Sequence, residues 1–260
     1  MRSILVHADR SPAMIARLEA ALALARAFDG HVSVLVDTPV RSYVSMDPMG
    51  GSHIAADALT QALADDDTYA RAIEAQLSAE QVPFTVLRSE EDTVKALAAA
   101  ARLSDLVVLS RSPALAGDLA LHTRTPVLVL PDGIAATLPP RVACVAWDGG
   151  NEAAHALREA VPLLHRAREV HVLTVHDGSD APRGAEATDY LARHGIAAQL
   201  HGFSAEGSTE QTLVAAVRRL DGDLLVMGAY GHSRVREYLF GGATRHFLED
   251  CPGQTLLLAH

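Results

Sequence analysis

The chain carries the same pattern twice, and this duplication restricts its fold more than any other feature. Ile4-Leu5-Val6-His7-Ala8-Asp9 and Val142-Ala143-Cys144-Val145-Ala146-Trp147-Asp148 are both short apolar runs that end on an aspartate and lead into a helical pattern. The second runs also correspond, His31–Val36 with Val170–Val175. Weaker third runs follow at Phe84–Leu87 and Ala197–Leu200, fourth runs at Asp105–Leu109 and Asp223–Met227, and fifth runs at Val127–Leu130 and Thr255–Leu258. Amphipathic stretches separate them. Ile15, Leu18, Leu22 and Ala25 share one helical face, as do Leu157, Val161 and Leu164, and again Leu213, Val217 and Leu220.

Strands that are apolar along their whole length belong to parallel sheets covered on both faces, and parallel strands need crossover helices. The alternation therefore predicts an α/β protein of two tandem, doubly wound, five-stranded parallel-sheet domains, over residues 1–136 and 140–260. Ser11-Pro12 reads as an N-cap followed by proline at the first helical position, and Asn151 reads as the cap in the second copy. Ser208-Thr209-Glu210-Gln211 has the form of a capping box. The Gly-, Pro-, Ser- and Met-rich stretch from Ser42 to His53 reads as a mobile loop inserted in the first copy. The apolar fifth strands would lie at sheet edges, where bare backbone invites pairing. The two copies are expected to pack through them as an internal pseudo-dimer.

Composition narrows the function classes. The formal net charge of -10 argues against a nucleic-acid partner, whose phosphates would be repelled. Two cysteines, Cys144 and Cys251, cannot build a disulfide framework and read as small buried hydrophobes. The first apolar run turns polar at Asp9, too early for a signal peptide, and no run has the length of a membrane span. A cytoplasmic protein without membrane contact is expected. The 13 histidines show no metal-ligand spacing; His171 and His176 fall on opposite faces of one strand.

The copies differ after their fourth strands. The second reads Gly228-Ala-Tyr-Gly231, nine further residues, then Gly241-Gly242-Ala243-Thr244. A strand running into spaced glycines and a helix start can cradle phosphate, because backbone N–H groups approach the anion without an intervening Cβ and the helix adds its positive end. The first copy reads Ser110-Arg111-Ser112-Pro113 instead and lacks about one loop and one helix turn.

With Gly-x2-Gly-x9-Gly at the end of the fourth strand, Met227 to Arg234 and Phe240 to Arg245 almost in the family's wording, and an aspartate after each first strand, the chain resembles the universal stress protein family in its tandem two-domain form. The resemblance implies a flavodoxin-like fold with ATP outside the carboxyl ends of the strands. It implies that Asp148 meets the adenine or ribose edge and Val175 contacts adenine. Met227, Gly228, Gly231, Gly241, Gly242, Ala243 and Thr244 would then surround ribose and phosphates. ATP, with or without Mg2+, is the implied ligand, and protein partners and a homodimer of tandem chains are implied as well. One position departs from the pattern. The ATP-binding members carry Ser or Thr where this chain has Gly242, so a hydroxyl is lost and Gly242→Ser is expected to tighten binding.

Structural readings stand beside these. Asp148 and Asp9 can serve as helix caps, and Gly228 and Gly231 as ordinary turn glycines. Trp147 can flank a nucleotide or fill the core. Arg234 and Arg236 read as a solvated helix face, and His232 and Ser233 as phosphate-loop contacts. A phosphoryl-transfer enzyme would need a phosphate-clamping lysine, and none follows Asp148. The expected function is a nucleotide-binding stress or regulatory protein, with domain 1 empty. The alternatives are an interaction scaffold with a decayed site and a slow ATP-hydrolysing enzyme.

Overall fold

A computed structural model of the chain describes residues 1–46, 52–131, 135–176, 184–205, 207–229, 242–251 and 253–260. They form two compact units that divide between Val107 and Val108.

Unit 1 begins with β1 (Ser3–His7), α1 (Met14–Phe28) and β2 (His31–Asp37). A short antiparallel hairpin follows, β3 (Val44–Met46) and β4 (Ser52–Ile54), where the sequence predicts only a loop. The unit continues with the long helix α2 (Ala56–Ser78), β5 (Phe84–Ser89) and α3 (Thr93–Ala101), and closes within β6 (Leu106–Ser110). Its sheet order is β6-β1-β2-β5, with β1–β2 and β2–β5 parallel. Ile4, Leu5, Val6, Val32 and Val34 are fully buried, which accounts for the unbroken apolar runs. α1 starts later than expected. The N–H and hydroxyl of Ser11 both donate to Asp9 Oδ1, at 3.0 and 2.6 Å, so Ser11 closes a turn and Ala13 becomes the N-cap.

Unit 2 holds α4 (Pro113–His122), β7 (Val127–Leu130), β8 (Val142–Ala146), α5 (Asn151–Leu164), β9 (Glu169–His176), α6 (Ala185–Arg193), β10 (Gln199–Ser204), α7 (Thr209–Arg219), β11 (Leu224–Gly228), α8 (Gly242–Glu249) and β12 (Thr255–Ala259). Five strands run parallel in the order β10-β9-β8-β11-β12, the doubly wound arrangement. β7 then joins antiparallel to β12, with Leu128 opposite Leu257 and both fully buried. The two fifth strands thus pair with each other and cover each other's edge.

Two local expectations need adjustment in this unit. Gly150, not Asn151, is the N-cap of α5; the Gly150 N–H donates to Asp148 Oδ1 at 2.8 Å, which places Asn151 at the first helical position. β10 begins at Gln199 rather than Ala197. The chain leaves α6 through Gly195, whose φ of 74° makes the turn, and Ala197 and Ala198 are spent regaining the sheet. In the segment between the fourth and fifth strands of the first copy, Arg111 has a structural role. Its guanidinium donates to the carbonyls of Phe247 at 2.7 Å, Leu248 at 3.1 Å and Gln254 at 2.5 Å. A cation there complements the negative C-terminal end of α8. The Ser208–Gln211 capping box forms as the spacing predicts. No helix among the described residues is long and apolar enough to cross a membrane.

Candidate functional site

In unit 2 the strand order reverses at β8. The chain moves outward through β9 and β10 on one side and returns through β11 and β12 on the other, so the loops leaving β8 and β11 part. A crevice opens at the carboxyl end of the strands at such a switch point. It contains a cavity of about 330 Å³, within the size range of small-molecule sites.

Seven of the nine residues expected there line this cavity: Asp148, Val175, Met227, Gly228, Gly242, Ala243 and Thr244. Gly231 and Gly241 lie outside the described residues, as do His232, Ser233, Arg234 and Arg236. Leu173, Val175, Leu213 and Met227 make the apolar part of the lining, suited to a flat aromatic base. Trp147 also lines the cavity. Its backbone N–H donates to Leu173 O at 2.8 Å, its side chain is only 8% exposed, and its Nε1–H has no partner among the described residues. A buried donor of that kind favours a site where something else supplies the acceptor.

Two glycines have different reasons to be glycine. A Cβ on Gly228 would lie 2.6 Å from Ala153 N and 2.6 Å from Glu152 C, so the end of β11 touches the backbone of α5. Gly228 is there for close approach. A Cβ on Gly242 would lie 2.8 Å from Glu210 Oε1, a flexible side-chain end. Asp148 accepts the Gly150 N–H while lining the cavity, so turn-making and site-lining coincide in one residue.

Sequence reasoning missed Glu152, Ala153, Thr209, Glu210 and Leu213, which also line the cavity. Their signal was present. The capping box fixes where α7 starts, and in a doubly wound sheet every helix following a strand starts at the carboxyl end, beside the crevice.

The corresponding place in unit 1 is built from different chemistry. The Ala8 N–H donates to Leu35 O as that of Trp147 does to Leu173 O, which makes Asp37 the counterpart of Val175 and His7 that of Ala146. Asp37 accepts His7 Nε2–H at 2.6 Å and the Thr93 hydroxyl at 2.5 Å, with both His7 and Asp37 side chains buried. Burial raises the Asp37 pKa, but the hydrogen bonds from His7 and Thr93 and the charge of His7 outweigh it and leave it below its ordinary value. Asp9 is likewise lowered: burial is opposed by the Ser11 hydroxyl and the Arg17 guanidinium. Arg17, 2% exposed, donates to Asp9 Oδ2 at 3.0 Å and to the His7 carbonyl. The Tyr69 hydroxyl donates to Asp9 O at 2.6 Å. The cavity of about 310 Å³ beside these residues is bordered by His7, Asp9, Asp37 and Asp66 in place of an apolar wall.

Comparison with known proteins supplies the family. Residues 141–258 match the model of the universal stress protein family. The chain is similar over its whole length to solved tandem structures. One is a universal stress protein of Archaeoglobus fulgidus DSM 4304, at 15% identity and a TM-score of 0.71, covering 99% of this chain and 96% of that one. Another is a functionally unknown protein of Pseudomonas aeruginosa PAO1, at 19% identity and a TM-score of 0.65, covering 100% of this chain and 92% of that one. These likenesses establish the fold. No curated protein matches the chain. Residues 141–258 thus belong to the universal stress protein family, and the whole chain has the tandem two-domain fold of a solved universal stress protein.

Proposed function

We propose that this universal stress protein binds ATP or another adenine nucleotide in the crevice between β8 and β11, and acts in stress response or regulation as a ligand-responsive protein. One observation carries the reading. The described residues among those that the family pattern assigns to adenine, ribose and phosphate come from four separate stretches of sequence, yet line a single cavity at the switch point of the sheet. The apolar lining by Val175, Leu173 and Met227 suits adenine, and Asp148 suits a ribose hydroxyl. The start of α8 offers backbone N–H groups toward the 5′ side of the sugar.

In this reading the copies are 1–136 and 140–260, and only the second binds. Asp37 and His7 put a buried, hydrogen-bonded polar pair where the second copy presents Val175 and Ala146, and a base would have to break that pair to enter. A bound nucleotide stabilises whichever conformation holds it.

Trp147 is the sole tryptophan of the chain, and it lines the cavity, so it reports occupancy directly. Titrating the protein with ATP while following its fluorescence is expected to give a saturable change, and Val175→Arg is expected to abolish it while the protein stays folded. A saturable change retained in Val175→Arg contradicts this placement of the ligand.

A further inference from the structure

The first turns of α7 and α8 meet at the cavity, which Thr209, Glu210, Gly242 and Ala243 all line. Each helix start carries N–H groups without intrahelical partners and a positive dipole end, so an anion is favoured between them. The protein supplies one itself. Glu210 stands at the second helical position of α7, after the Ser208 cap, and its Oε1 lies where a Cβ on Gly242 would be only 2.8 Å away. Its carboxylate therefore packs against the first residue of α8, the place a nucleotide's 5′ phosphates would seek. The rest of the lining agrees in charge. Among the described residues around the cavity the charged ones are Asp148, Glu152 and Glu210, with no Arg, Lys or His. Trp147 lines the same cavity, and its buried Nε1–H has no partner among the described residues, which points independently to a ligand that brings an acceptor, as a base or a sugar does without carrying charge.

We infer that Glu210 is a charge filter, an inference that rests on the adenine-site reading above. Its carboxylate holds the anion position at the start of α8 and turns the site toward adenine ligands without 5′ phosphates, adenosine over ATP. The missing hydroxyl at Gly242 belongs to the same device, because a side chain there would displace Glu210 from α8.

The test is calorimetric titration of adenosine and of ATP, with a chelator present, into the full chain and its variants. Glu210→Gln keeps the shape and removes the charge, and it leaves the Ser208–Gln211 capping pair intact. Removing a like charge a few ångströms from the phosphates is expected to tighten ATP about tenfold relative to adenosine. The adenosine affinity should stay within about twofold. Gly242→Ser should move the ratio in the same direction by pushing the carboxylate aside. Asp189→Asn, the same charge change on the exposed face of α6, should leave the ratio as in the wild type. Adenosine binding with an ATP-to-adenosine ratio identical in wild type and Glu210→Gln overturns the filter but leaves the site assignment standing. Failure of the wild type and all variants to bind either ligand overturns the adenine reading and the filter with it.

Discussion

At Gly228 the strand end and the helix start are so close that a single methyl group has nowhere to go: the nearest atoms, at 2.6 Å, belong to the backbone of α5. Overpacking of this kind costs about 1–3 kcal/mol when the surroundings cannot yield. Gly228→Ala is expected to lower unfolding stability by that amount in denaturant titration; an unchanged midpoint would show that β11 and α5 do not touch as described. The sequence makes the glycine visible but not its reason, since a turn glycine and a close-approach glycine read alike. Asp37 is a second case. Its pKa lies below the ordinary 3.8, so its carboxylate contributes stability that is fully present above 3.8 and is lost as the pH falls through its folded value. Melting temperature should therefore fall on acidification below 3.8, and less steeply in Asp37→Asn. Parallel curves for the two proteins would contradict the role given to the His7–Asp37–Thr93 network. Nothing in the local sequence announced that network, because its members come from three elements whose ends meet only in the folded sheet.

At the level of elements, the runs legible in the sequence were those whose burial is uniform. Val127–Leu130 is a strand with the bounds its apolar run predicts, all four residues being buried. The third strand of the second copy was misplaced by two residues because β10 lies at the end of the sheet order and alternates in exposure, which weakens its apolar signal. The hairpin at Val44–Met46 and Ser52–Ile54 was hidden by composition typical of a loop. The pairing of β7 with β12 was legible from physics, since two apolar edge strands in one chain need cover. Leu257 faces Leu128 there, and both are fully buried. Leu257→Asp would bury a carboxylate without a partner. It should destabilise unit 2 by more than about 4 kcal/mol, or prevent its folding. Circular dichroism and denaturant unfolding measure this. A variant as stable as the wild type would mean that the β7–β12 pairing does not form.

For the whole molecule, the duplicated pattern made the tandem fold readable, while the unequal chemistry of the two copies was readable only in part. The glycine motif marked the second copy, and the cavity brings together the described residues of that motif. The first copy looked empty because it lacks the motif. The structure adds that the counterpart of the Val175 and Ala146 wall there is a buried acid–histidine pair, and that Arg111, after its fourth strand, is bonded to the end of α8. Glu152 and Glu210 were not legible as site residues because sequence distance hides what the switch point gathers. In the proposed reading each chain holds one adenine-ligand site, in the crevice between β8 and β11. Isothermal titration with adenosine and with ATP is then expected to give a stoichiometry of one per chain, lost in Val175→Arg. Two equivalent sites per chain, or no binding of either ligand, would contradict it.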